Sequence, residues 1–478
     1  MEWCLLVFSS LIFLFLFLPL TLILYLCSSS VNQKNNVLVI MSVIFYAWGE
    51  PVYVLLMLFS AFVNYFCGLL MGAARKHSRR KASIVVCVVI NLLLLGLFKY
   101  TGFLVENLNA ITGLSIAAPQ ISLPIGISFY TFQAMTYSID VYRGEVKVQR
   151  SYRDFLLYLS LFPQLIAGPI VRYSEIEPQL TERRTTMKGA FYGLTRFSFG
   201  LGKKVLIANY CGAVAGKMLD GTLSQSTAVG VWLGIAMYTL QIYFDFAGYS
   251  DMAIGLGRIF GFKYSENFDL PYTSKSITEF WRRWHISLSS FFRDYVYIPL
   301  GGNRKHQMLN LFIVWSLTGL WHGASWNFVL WGMYFFVLLV IEKTIPDRLE
   351  RIPGFVRHLI TLFLLMMGWT LFYCTDLSRL GQTLGCMFGF YGAGFTDYSM
   401  GVTLVNNLPL LLLGIVASSS IPRTVGNVFR SLCMRRGSAV AAKKVYVIAV
   451  FVLDALLIFA SVVSLLGSSY NPFLYFRF

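Results

Sequence analysis

Long apolar stretches separated by short polar ones run through the whole chain, and many approach the length of a membrane-crossing helix. About 20 mostly apolar residues span the hydrocarbon core of a bilayer. Eleven stretches come near this: Leu5–Leu26, Val37–Met71, Ala82–Phe98, Leu123–Val141, Phe155–Val171, Gly189–Tyr210, Val229–Phe260, Met308–Ile341, Leu359–Tyr373, Val405–Ile421 and Val445–Leu466. Val37–Met71 is interrupted near Gly49-Glu50-Pro51, and several others are too long or too short for one simple span. The pattern predicts an all-α polytopic membrane protein, a bundle of roughly 11 transmembrane and re-entrant helices. Re-entrant backbone survives at membrane depth only where protein covers it. The first stretch follows Met1-Glu2-Trp3 with no basic residue and ends in Cys27-Ser28-Ser29, so it is expected to stay in place as a helix and not to be cleaved as a leader. With no internal repeat and no long polar linker, residues 1–478 are expected to form a single integral domain.

Composition sharpens this picture. Of 478 residues, 57% are hydrophobic and only 13% are charged, where a soluble domain carries about 25% charged residues. A water-soluble enzyme, a disordered chain and a nucleic-acid binder are thereby excluded, and membrane lipids are the expected surroundings. The formal charge of +17 comes largely from short clusters: Arg75, Lys76, Arg79, Arg80 and Lys81, then Arg423, Arg430, Arg435, Arg436, Lys443 and Lys444. Short loops rich in Lys and Arg face the cytoplasm, which would leave the tail from Tyr470 outside. The 8 cysteines form no CxxC pair, and Cys4, Cys27, Cys67 and Cys87 sit in apolar stretches as small hydrophobes would.

Candidate chemistry concentrates in residues 241–332, where ionisable groups lie among aromatic ones. A charge at membrane depth costs at least about 2.5–3.5 kcal/mol on insertion scales, so such groups usually line a cavity. Of the 5 histidines, His77 and His306 lie in basic loops and His358 adjoins Arg357, leaving His285 and His322. Phe280, Trp281, Trp284, Leu288, Phe291, Phe292 and Tyr295 recur at helical spacing and predict one amphipathic helix with His285 at the edge of its apolar face. Arg282, Arg283 and Arg293 take the other side. If helical, Trp315, Gly319, His322 and Trp326 share a face, with the glycines leaving room beside the imidazole. No Asp or Glu lies between Met308 and Ile341, so His322 has no local acid to pair with. An uncharged His suits a general base near neutral pH; the alternatives are a core histidine bonded to a carbonyl and, for His285, a helix resting on headgroups.

Asp245 and Asp251 are six residues apart and do not share a helical face, which favours structural pairing, with Arg282 or Arg283 as partners, over a proton relay. Phosphate-cradling, GxSxG, HExxH and dinucleotide motifs are missing from the sequence, as is a cluster of metal ligands. What remains is general-base acyl transfer. A proton-coupled carrier for an acyl group or glycan precursor stays open, since intramembrane Asp and His also mark carriers.

The stretches QIYFDFAGYSDMAIGLGRIFGF (241–262), ENFDLPY (266–272), SITEFWRRWHISLSSFFRDYVYIPLGGNR (276–304), LTGLWHGASWNFVLWG (317–332) and YNPFLYFRF (470–478) resemble bacterial membrane-bound O-acyltransferases, nearest to the alginate O-acetylase branch. LPIGISFYTFQAMTYSIDVYRG (123–144) and FPQLIAGPIVRY (162–173) extend the likeness over most of the chain. The resemblance implies helices around a central tunnel through the bacterial cytoplasmic membrane, with the family's invariant histidine at His322 and its second histidine at His285. It implies no bound cofactor, a thioester donor (acetyl-CoA or an acyl carrier protein) and a cell-surface polysaccharide as acceptor. An extracytoplasmic acetyltransferase with a serine nucleophile is the expected partner. On this likeness His322 is the base and His285 orients the donor or stabilises the oxyanion. Trp281, Trp284, Asn267, Trp321 and Trp326 would shape the substrate path, and Arg282 and Arg283 would hold coenzyme A phosphates or pair with acids. D-alanyl or other acyl transfer to teichoic acid or peptidoglycan is the alternative within the family.

Overall fold

The computed structural model describes residues 6–119, 121–166, 168–434, 439–467 and 470–474, without side chains for Met434 and 439–442. Cys4, Leu5, Arg435, Arg436 and the tail from Tyr475 lie outside the described residues. The described chain is helical and contains no strand. Seven of its helices are long and apolar enough to cross a membrane: Tyr53–Ala73, His77–Thr112, Ala228–Ile259, Trp326–Thr344, Gly354–Tyr373, Tyr398–Ser418 and Lys443–Gly467. The remaining apolar stretches lie in helices that are shorter, broken or less apolar. Val37–Met71 splits into helices Val31–Gly49 and Tyr53–Ala73 at Glu50-Pro51, as the interruption suggested. Met308–Ile341 also divides, at Gly323-Ala324-Ser325, a break that hydropathy alone does not show.

Close contacts group the described chain into two compact units, residues 1–197 with 249–265 and residues 198–248 with 266–478. The first unit contains α1 (Tyr53–Ala73), α2 (His77–Leu95) and α3 (Ile127–Arg143). Their contact is polar at its centre. The Asn64 and Asn91 side-chain amides donate to each other at 3.0 and 3.2 Å, and Ser138 Oγ donates to Asn64 Oδ1 at 2.9 Å. Between helices in lipid, such bonds supply association energy that hydrophobicity cannot.

In the second unit α4 (Ala228–Ile259), whose last turns belong to the first unit, precedes two short helices, α5 (Ile277–Arg283) and α6 (Ile286–Phe292). Then come α7 (Gln307–His322), α8 (Trp326–Thr344) and α9 (Gly354–Tyr373). Gly319 and Gly332 let α7 and α8 approach backbone to backbone: a Cβ on Gly319 would clash with Phe328 O, and one on Gly332 with Trp315 O. Small residues at such crossings replace the missing hydrophobic drive with close packing. The glycine next to the imidazole, Gly323, accommodates the Phe328 ring. The expectation that these glycines clear space beside His322 is thus corrected: they admit a neighbouring helix and a phenyl ring.

Candidate functional site

Residues 278–295 are not one amphipathic helix. The chain breaks after Trp284, and His285 takes a left-handed conformation, φ +44°, between α5 and α6. For a residue with a Cβ this costs on the order of 1–3 kcal/mol and needs fixed surroundings. The segment around Asn267 supplies them. Ile286 N donates to Asn267 O at 3.0 Å, Asp269 N donates to Arg283 O at 3.0 Å, and Ser287 N donates to Asn267 Oδ1 at 3.1 Å. The start of α5 is held by Glu342 near the end of α8, whose carboxylate accepts from Ile277 N at 2.6 Å and Thr278 N at 2.8 Å. A carboxylate there also suits the positive end of a helix.

These restraints place His285 in the interior at 1% exposure, its Nδ1 3.3 Å from Asn267 Oδ1. The Phe246 ring meets it edge-on at 4.7 Å and the Trp321 indole lies at 5.9 Å. His322 ends α7 at 4% exposure. Its ring packs against Trp321 at 5.0 Å, Trp331 at 4.9 Å and Phe372 at 5.2 Å. The two imidazoles, 37 residues apart in sequence, therefore touch the same indole.

His285 also lines a cavity of about 260 Å³ whose walls include Trp281, Leu288, Phe292, Leu311, Trp315 and Thr318. Arg282, Arg293, Tyr297 and Lys343 line it too, and the three cations among them are exposed. Of the residues expected on the substrate path, Trp281 and Arg282 are there. Asn267 stands behind His285 as its hydrogen-bond partner. Three others are elsewhere. Arg283 takes the acid pairing that was the alternative to phosphate binding, meeting Glu279 at 2.7 Å, and donates to Thr273 Oγ1 at 3.0 Å. Trp284 is buried among Phe280, Phe268 and Trp369 at 5.4, 5.1 and 5.0 Å. Trp326 opens α8 at 52% exposure, because the break after His322 turns it off the α7 face.

Asp245 and Asp251 do make structural pairs, but neither partner is Arg282 or Arg283. In the second unit Lys204 meets Asp245 at 2.6 Å with both side chains buried. Lys204 Nζ also donates to Pro472 O, and Asp245 Oδ2 accepts from Leu474 N at 2.8 Å. In the first unit Arg196 meets Asp251 at 2.7 Å. Sequence reasoning missed Lys204, although Lys203-Lys204 inside the apolar stretch Gly189–Tyr210 was a signal that an acid waits nearby. It also missed Trp331, Phe372 and Lys343, whose roles depend on helix packing and have no local signature.

Residues 145–378 match the sequence profile of MBOAT, the membrane-bound O-acyltransferase family. The chain is similar along almost its whole length to two proteins named probable alginate O-acetylase AlgI. The one from Azotobacter vinelandii is 40% identical over 99% of this chain and 100% of the relative. The one from Pseudomonas aeruginosa is 38% identical over 99% and 100%. The peptidoglycan O-acetyltransferase of Helicobacter pylori is 31% identical over 99% of this chain and 98% of that protein.

Proposed function

This chain belongs to the membrane-bound O-acyltransferase family and is an acyltransferase of the membrane, and we propose that it moves acetyl groups from a cytoplasmic thioester toward hydroxyls of an extracytoplasmic polysaccharide. The observation that carries this reading is the pair of buried imidazoles sharing Trp321, with one of them in a cavity that Arg282, Arg293 and Lys343 also line. Thioester and polysaccharide occupy opposite sides of the bilayer, so they must meet within the protein. A narrow, mostly apolar cavity suits a pantetheine arm. Exposed cations suit the phosphates that coenzyme A carries, guanidinium forks best of all.

In the reaction, His322 takes the proton of the attacking hydroxyl as its oxygen bonds to the thioester carbon. The C–S bond breaks and the proton passes on to the thiolate sulfur. General-base help of this kind is worth about 10²–10⁴ in rate. The hydroxyl belongs to a serine of an extracytoplasmic partner, which passes the acetyl group to the glycan. The chain works in the bacterial cytoplasmic membrane.

Radiolabelled acetyl-CoA supplied to one side of proteoliposomes tests the reading: label should reach an acceptor on the other side. His322→Ala at equal membrane abundance should lower transfer at least about 100-fold, and normal transfer by that variant removes His322 from the chemistry. Peptidoglycan as the glycan is a second reading, favoured by the full-length likeness to the Helicobacter pylori enzyme. Mass spectrometry of surface polymers from a deletion strain decides which polymer loses acetate.

A further inference from the structure

We infer that a second cavity, between α4, α9 and a further helix α10 (Tyr398–Ser418), holds one anionic glycerophospholipid with its headgroup phosphate at Lys275 and His358. The inference goes beyond acyl transfer and does not rest on it. All the lining residues belong to the second unit, and the cavity, about 550 Å³, is larger than the one at His285. Its walls differ along its length. Leu240, Leu362, Met366 and Ile415 make one end apolar, while Lys275, His358, Ser418 and Ser419 gather at the other. The division follows from helix direction, because α9 begins where α10 ends. From Gly354 to Met366 the α9 wall covers about 18 Å at 1.5 Å per residue. That is close to the hydrocarbon depth of one leaflet, half of about 30 Å.

The polar end offers positive charge and little else to donate. Ser418 Oγ donates to Ile415 O at 2.9 Å, Ser419 Oγ to Val416 O at 2.7 Å and Thr273 Oγ1 to Leu270 O at 2.7 Å, so these hydroxyls serve the backbone. His358 Nδ1 donates to Ser274 O at 2.9 Å, which seats the ring on the wall. Lys275 lays its side chain over the first turn of α9, where a Cβ on Gly354 would come within 3.4 Å of Nζ. Among the described residues no ion pair takes that ammonium. The acids nearest in sequence are engaged: Glu279 accepts from Lys275 N and pairs with Arg283, and Asp269 pairs with Arg423. A lysine stem on an apolar wall with its charge at the rim is the arrangement that meets a phosphate above acyl chains. Phe355 and Ile415 line the cavity and are exposed, so one flank opens toward the bilayer. The basic cluster that begins at Arg423 follows Ser419 closely. Such loops face the cytoplasm, where the leaflet is anionic. Tyr272 and Thr273 also line this cavity. The Tyr272 ring lies 6.1 Å from both Phe280 and Trp284, and Thr273 Oγ1 accepts from Arg283. The lipid thereby braces the segment that leads to His285.

Native mass spectrometry of the full chain, supplied with phosphatidylglycerol or with phosphatidylcholine of the same acyl chains, reads the site without activity. The unaltered protein should retain one phosphatidylglycerol about tenfold more tightly, the scale of a hydrogen bond to a charged group. Phosphatidylcholine instead brings a like charge toward Lys275, which disfavours it. Equal retention of the two lipids overturns the inference. Lys275→Ala combined with His358→Ala should release that one molecule, and undiminished retention by this variant also overturns the inference. Inorganic phosphate at the same concentration as the lipid should leave the lipid in place. Displacement by phosphate alone would mark a plain anion site and overturn the lipid assignment. Phosphatidylglycerol should also raise the thermal midpoint of the unaltered protein, because a ligand of the folded state stabilises it, and should not raise that of the variant. If the variant does not accumulate, the two lipids compared on the unaltered protein decide. None of these readings needs acetyl transfer, so a failure of the acyl-transfer reading leaves them standing.

Discussion

At the scale of single residues, Asp245 and Asp251 are each held by an opposite charge. Lys204 and Asp245 are the clearest case, since both are buried and both also bind the backbone of the tail segment Pro472–Leu474. Removing one member of a buried pair leaves an uncompensated charge and costs about 3–5 kcal/mol, while replacing both by apolar groups can be close to neutral. Lys204→Met or Asp245→Leu alone should therefore lower the thermal midpoint in detergent by several degrees, and the double variant should recover most of the loss. If the double variant is as unstable as the sum of the two single ones, the pair is not a closed unit. The histidines follow another logic: they are surrounded by aromatic rings, which exclude water without competing for protons.

At the scale of elements, breaks matter as much as helices. The candidate site lies where α5 stops before His285 and where α7 stops at His322, two points at which the apolar pattern runs on without pause. Each break is set by a partner from another element. Asn267 receives the backbone after His285, while Phe328 fills the space beside Gly323. The α7–α8 crossing depends on Gly332, so Gly332→Leu should separate these helices and move the wall of His322. The expected result is loss of transfer together with a lower midpoint, both measured in purified protein. Full activity in that variant would mean that the crossing does not position the imidazole.

At the scale of the whole molecule, the cavity lined by Arg282, Arg293 and Lys343 collects cations from α5, from the segment after α6 and from α8. If these charges receive the donor, the triple alanine variant should raise the KM for acetyl-CoA by about threefold to a hundredfold, given roughly 0.2–1 kcal/mol for each exposed charge contact. Its kcat should change little. The same variant should treat the short thioester S-acetyl-N-acetylcysteamine, which has no phosphates, much as the unaltered protein does. An equal loss with both donors would assign these cations to structure. High salt should also weaken acetyl-CoA more than the short donor, because exposed charges are screened.

Sequence by itself determined a great deal: the all-helical membrane character, the division near Glu50-Pro51, the family, and His285 and His322 as the pair worth pursuing. These were legible because hydropathy and helical spacing are local and the motifs are long and ordered. The partners of Asp245 and Asp251, the outward turn of Trp326, the burial of Trp284 in the core, and the part played by Asn267 were decided only in three dimensions. Each depends on which backbone stops where and on what another helix brings to that point. A pattern of hydrophobic positions records how much a residue avoids water, but the direction of a hydrogen bond exists only once both of its ends are in place.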